Sequence, residues 1–77
     1  MPRLRMTPAQ QAIFDDLSDY MEGARMINAA QLARYWGRDV RCVRDWLAAN
    51  GLTSYRMGHV INFMLRDVAK AMAESAA

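Results

Sequence analysis

From Thr7 onward, apolar residues recur at spacings of three and four. Ala9, Ala12 and Ile13 are followed by Leu17, Tyr20, Met21 and Ala24, the period of one buried helix face. Asp15, Asp16, Asp19 and Glu22 fall mostly on the other side. Thr7-Pro8-Ala9-Gln10 supplies the start, with Thr7 as N-cap, Pro8 at the first helical position and Gln10 closing a capping box. Gly23 supplies the stop, because it tolerates the left-handed backbone that ends many helices. The pattern predicts an amphipathic helix over 7–22 with an acidic outer face.

The same grammar returns twice. Asn28-Ala29-Ala30-Gln31 predicts a second capped helix, with Ala29, Leu32, Ala33 and Trp36 as its apolar stripe and Gly37 as its end. Asp39 is expected to cap a third helix from Val40 to about Ala49, which Asn50-Gly51 ends. Val43, Trp46 and Leu47 share one face of this third helix; Arg41, Arg44, Asp45 and Ala48 share the other. Helix, glycine-centred turn, helix over 28–50 is the spacing of a helix-turn-helix. The period then changes. Ser54–Met57 and Val60–Phe63 are rich in strand formers, and Gly58-His59 between them suits a two-residue turn with glycine first. Such a hairpin is marginal alone, so it is expected to lean on the helices. A last helix is predicted from about Leu65 to Glu74, buried along Leu65, Val68, Ala69, Met72 and Ala73, with Asp67 favourably placed in its first turn. Residues 75–77 are expected to fray.

The expected fold is therefore mainly α with a small β-hairpin. It is one domain over 7–74, after a flexible basic arm at 1–6. Its parts are an extra N-terminal helix at 7–22, a helix-turn-helix at 28–50, a wing at 54–63 and a last helix at 65–74. The 77 residues suffice for one domain, and a hydrophobic fraction of 53% argues against disorder. No run of about 18 apolar residues occurs, so no transmembrane helix is expected. Arg3 and Arg5 are not followed by an apolar stretch, so the start does not read as a secretory signal. Cys42 is the only cysteine, which rules out an internal disulfide and fits a reducing cytoplasm.

Charge changes the picture through its distribution. Residues 1–24 hold two arginines against four acidic residues, a net −2; residues 25–77 hold eight basic residues against four acidic ones, a net +4. Nine of the ten basic residues are arginine, whose planar fork suits phosphate and guanine, although a GC-rich genome produces the same bias.

Taken in order, the pieces resemble the excisionase-like and MerR-like winged helix-turn-helix families. The residues that carry the resemblance are Asn28-Ala29-Ala30-Gln31-Leu32-Ala33 and Val40-Arg41-Cys42-Val43-Arg44-Asp45-Trp46-Leu47. Tyr55-Arg56-Met57-Gly58, Val60-Ile61-Asn62-Phe63 and Asp67-Val68 continue it. The match spans Met26 to about Ala73, two thirds of the chain. It implies that the third helix enters the major groove and that the hairpin touches the backbone or minor groove. Asp39 stands where these families usually place serine or threonine before the recognition helix, and the N-terminal helix is outside the shared pattern. The short form resembles a phage or mobile-element regulator rather than a full-length MerR protein.

Within that resemblance, Arg41 is expected to meet a guanine edge, and Arg34, Arg38 and Arg44 to meet phosphates, rather than form a solvated helix face. Asp45 either accepts from a cytosine amine, orients Arg41 or forms a plain intrahelical pair. Ala48 meets a thymine methyl if the helix docks deeply. Arg56 on the wing pairs with phosphate, and His59 reads first as a turn residue and second as a DNA contact. Trp36 and Trp46 read as core rather than as stacking platforms, and the seven methionines as core filler. One histidine and one cysteine leave catalysis and metal binding almost no material, so no enzyme and no cofactor is expected.

The expected function is sequence-specific binding of double-stranded DNA, as an excisionase-type recombination directionality factor or small transcriptional regulator. The expected location is a bacterial cytoplasm, on the nucleoid. A recombinase or another phage protein is a further expected partner, and no membrane is. Two alternatives stand beside it: the DNA-recognition domain of a phage terminase small subunit, and a protein-interaction module or inhibitor that keeps the fold. The acidic N-terminal helix and low net charge favour the latter. The apolar stripe of the N-terminal helix must be buried either within the domain or on a second protomer. Intramolecular packing, and a monomer off DNA, is the expectation.

Overall fold

The computed structural model describes residues 6–75. All of the expected basic arm except Met6 lies outside them, as do the last two residues of the tail. Helix α1 is Pro8–Tyr20, α2 Ala29–Trp36, α3 Val40–Ala49 and α4 Leu65–Glu74. Strands β1 (Met26–Asn28), β2 (Tyr55–Met57) and β3 (Val60–Met64) form one antiparallel sheet in the order β1-β3-β2. The chain is thus mainly helical with a small three-stranded sheet.

Two capping boxes start α1 and α2. Gln10 donates its backbone N–H to Thr7 Oγ1 at 3.2 Å, and Thr7 returns its own to Gln10 Oε1 at 3.0 Å. Gln31 and Asn28 repeat the exchange at 2.8 and 3.0 Å. Each box satisfies two backbone donors that a helix start otherwise leaves open. Asp39 precedes α3 in extended conformation, but its side chain makes no cap hydrogen bond, contrary to expectation. The α2–α3 turn rests on Gly37, whose φ of 68° puts it in the left-handed region, and on the Arg38 N–H donating to the Ala33 carbonyl at 2.9 Å.

Helix α1 ends at Tyr20 rather than at 22. The left-handed backbone begins at Glu22, with φ 55°, and continues at Gly23, with φ 85°. The glycine therefore follows the first strained position instead of occupying it. The buried stripe is also rotated from the expected one. Leu17 is fully buried, with Ile13, Phe14 and Met21 packed on the core beside it. Ala9, Ala12, Tyr20 and Ala24 are exposed. Phe14 decides the phase: it stands at i+1 to Ile13 and i−3 to Leu17, and an aromatic ring removes more apolar area from water than three alanines at the edge of the stripe.

Helix α1 packs mainly along α4, so its stripe is covered within the chain. A second tie runs to α2. The rings of Tyr20 and Tyr35 meet edge to face with centroids 5.1 Å apart, and the Tyr35 hydroxyl donates to the Asp16 carboxylate. Burial, the hydrogen bond to Asp16 and the charge of that carboxylate together push the Tyr35 pKa up to about 12.

Strand β1 is an element that periodicity alone misses. Met26 pairs with Met64, Ile27 with Phe63 and Asn28 with Asn62. The Leu65 N–H donates to the Arg25 carbonyl at 2.9 Å and extends the tie to the start of α4. Strand β2 starts one residue later than expected, at Tyr55, and β3 runs one residue further, to Met64. The hairpin turn is as expected: Met57 pairs with Val60 across Gly58-His59, and Gly58 has φ 67°. The expectation that the hairpin leans on the helices holds only at its base. Phe63 packs on the core, whereas Tyr55, Met57, Val60 and Ile61 are exposed. Pairing with β1 supplies the support that helix packing does not. Met57, 54% exposed, is also not the core filler that the methionine content suggests.

The core joins β1 and the four helices: Leu17 of α1, Ile27 of β1, Leu32 of α2, Val43 of α3, and Leu65 and Val68 of α4 are fully buried. On α4, Ala69 and Ala71 are also buried, while Met72 and Ala73 are half-buried. Trp36 and Trp46 lie against this core, edge to face, with centroids 4.8 Å apart. Among the described residues, no helix is long and apolar enough to cross a membrane.

Leu17→Ala is expected to cost about 2–5 kcal/mol in a urea melt, enough to unfold much of a domain of this size. A loss below about 0.5 kcal/mol, the range of a surface change, contradicts the packing of α1 on α4. The raised Tyr35 pKa predicts a pH dependence. The folded state holds the phenol protonated, so this stabilisation is fully present below the ordinary value of about 10 and is lost as pH rises through about 12. Tyr35→Phe is expected to flatten stability against pH over that window, and spectrophotometric titration of the phenols checks the shift directly.

Candidate functional site

Helix α3 divides cleanly. Val43 and Leu47 are buried and Trp46 is half-buried, so these residues fix the helix's rotation. Arg41, Arg44, Asp45 and Ala48 then project to solvent at spacings of three, four and seven, as one face requires. Arg38 in the preceding turn and Arg34 in the last turn of α2 are exposed as well. Cys42 is exposed beside Arg41.

An open groove of about 570 Å³ separates this helix from the hairpin. Arg44, Leu47 and Ala48 form the α3 side, and His59, Val60, Ile61 and Phe63 form the hairpin side. Asn28, Ala29 and Ala30, at the start of α2, also line it; Leu52 and Ser54 contribute from the α3–β2 connection. Three of the expected site residues, Arg44, Ala48 and His59, thus meet in one place. Arg34, Arg38, Arg41, Asp45 and Arg56 do not line the groove. Arg41 and Asp45 share the exposed α3 face with Arg44. Arg56 is the cross-strand partner of Ile61, so the two lie on the same face of the sheet, with Ile61 reaching into the groove.

The groove's only charged lining residue is Arg44, and no carboxylate lines it. The acidic residues of α1 stand apart, because α1 packs chiefly on α4 and makes no comparable contact with α3 or the hairpin. Among the described residues, no cluster of three or more histidine, cysteine or carboxylate side chains could hold a metal ion.

Sequence reasoning missed the apolar half of this site. Val60 and Ile61 were legible as strand formers, but their exposures of 45% and 43% depend on how far the hairpin extends beyond the core. Their signal was the surplus of apolar residues in a hairpin too short to need them. Comparison with protein-family models, with curated proteins and with solved structures returned no match.

Proposed function

We propose that this chain is a small sequence-specific double-stranded DNA-binding protein of the winged helix-turn-helix type. In this reading α3 enters the major groove and the β2–β3 hairpin acts as a wing on the backbone or minor groove. The observation that carries it is the exposed α3 face, where two arginines and a small residue project together beside a hairpin bearing Arg56 and His59. An arginine fork reads guanine bidentately, and alanine allows close approach to a thymine methyl. Arg41 is assigned to a base edge, and Arg34, Arg38, Arg44 and Arg56 to phosphates; Ala48 faces a thymine and Asp45 accepts from cytosine or orients Arg41. The acidic surface of α1 is repelled by phosphate, which suits its separation from α3. As a protein of this class it serves as an excisionase-type directionality factor or a small transcriptional regulator on the bacterial nucleoid, monomeric off DNA.

A protein-interaction role has one observation in its favour: Tyr55, Met57, Val60 and Ile61 leave the hairpin unusually apolar for a wing. Salt dependence separates the two, since phosphate contacts release counterions and apolar docking does not.

If four arginines meet phosphates, the slope of log K against log salt on duplex DNA is expected to be about −3.6, from roughly −0.9 per contact. A flat titration, or no binding at low salt, contradicts the proposal. On a selected site, Arg41→Ala is expected to cost about 1–3 kcal/mol and on random duplex little. Arg44→Ala is expected to weaken both alike. Identical behaviour of the two variants on both DNAs overturns the division between base and backbone contacts.

A further inference from the structure

We propose that the groove between α3 and the hairpin binds a small apolar monoanion, an aromatic or medium-chain carboxylate, and that this ligand and DNA exclude one another.

The groove has the volume of a small-molecule site: about 570 Å³, against a usual range of roughly 300–1,000 Å³. Its walls are mostly hydrocarbon. Leu47 is buried, Leu52 and Phe63 are half-buried, and Val60 and Ile61 stand open to water. An apolar body laid across them removes the exposed side chains of Val60 and Ile61 from solvent. Ala29 and Ala30, at the start of α2, also line the groove.

The polar groups select the charge. Arg44 is the single charged residue in the lining, and its guanidinium can take a carboxylate bidentately. His59, on the opposite wall, offers ring nitrogens to the same group. Ala29 and Ala30 are the first two residues of α2, whose N–H groups have no partner within the helix. Their partial positive charge adds to that of Arg44. With no aspartate or glutamate in the lining, a cationic ligand has no counter-ion and a neutral one leaves Arg44 to water. Asp45, the nearest acidic residue in sequence to Arg44, is exposed outside the lining.

Exclusion follows from shared groups. Arg44 and His59 cannot serve the carboxylate and a DNA strand together. This second half rests on the DNA-binding reading, and the first does not.

The test titrates naphthalene-2-carboxylate and, separately, naphthalene-2-carboxamide into the full chain without DNA, followed by amide chemical shifts. The expected result is saturable shifts at Ala30, Ala48, Val60 and Ile61, with the carboxylate bound roughly tenfold tighter than the isosteric amide, the worth of one charged hydrogen bond. Arg44→Gln is expected to abolish that preference while leaving the carboxamide affinity and the α1 and α4 shifts unchanged. No saturable binding, shifts centred outside the groove, equal affinity for the two probes, or an Arg44→Gln variant that keeps the preference each overturns the site. A gel shift with and without saturating carboxylate then tests exclusion. Loss of the DNA complex supports it; an unchanged complex overturns exclusion alone. Absence of DNA binding in both lanes removes the DNA reading and leaves the groove assignment to stand on its own titration.

Discussion

The three-residue pairing of β1 with β3 is the constraint on which the rest of the molecule depends. Asn28 is both the last residue of β1 and the cap of α2, and β3 passes directly into α4. The Ile27–Phe63 pair therefore joins three junctions at once: the start of the α2–α3 unit, the base of the hairpin and the start of α4. A two-stranded hairpin this short is marginal in water, and its tip has no helix to rest on. The third strand makes its position relative to α3 definite, and with it the width of the groove. Ile27 is fully buried, so slipping the register by one residue moves it to the other face and exposes it.

The charge arrangement follows from the same scaffold. Helix α1, which carries most of the acidic residues of its half, is held on α4 by Leu17 and on α2 by the Tyr20–Tyr35 contact. That placement keeps Asp15, Asp16 and Asp19 on an element that packs chiefly on α4 rather than on α3. A net charge of only +2 is consequently a poor guide to this protein's surface, because residues 1–24 carry a net −2 and residues 25–77 a net +4. The apolar hairpin is the other departure from a generic basic surface. It leaves aliphatic side chains in water, at a cost in solubility that a structural role alone does not explain.

Much of this was legible from sequence for definite reasons. Both capping boxes place the helix starts, and α4 was readable from the spacing of Leu65, Val68 and Ala69, although Ala71 is buried where the pattern predicts Met72 and Ala73 to be. The face of α3 that carries Arg41, Arg44, Asp45 and Ala48 was equally plain, since Val43 and Leu47 set the phase. Strand β1 was not, because three residues hold too little periodicity to separate strand from linker. The stripe of α1 was legible only in part, because Ala9, Ala12 and Ala24 fit a helical period that leaves out Phe14, and the larger apolar area of Phe14 sets the phase. Asp39 has the extended backbone of an N-cap, but its side chain makes no cap hydrogen bond, which residue type alone does not report. The groove itself is a property of two elements far apart in sequence, α3 and the hairpin, and no local pattern reports the space between them.

The central claim is that α3 and the hairpin together form the face that meets duplex DNA. Amide chemical-shift mapping of the isotopically labelled chain, titrated with a short GC-mixed duplex at low salt, tests it most directly. The account predicts the largest changes from Arg38 to Ala48 and across Gly58 to Ile61, with α1 and the body of α4 nearly silent. Changes centred on α1 or α4, or none at low salt, contradict it.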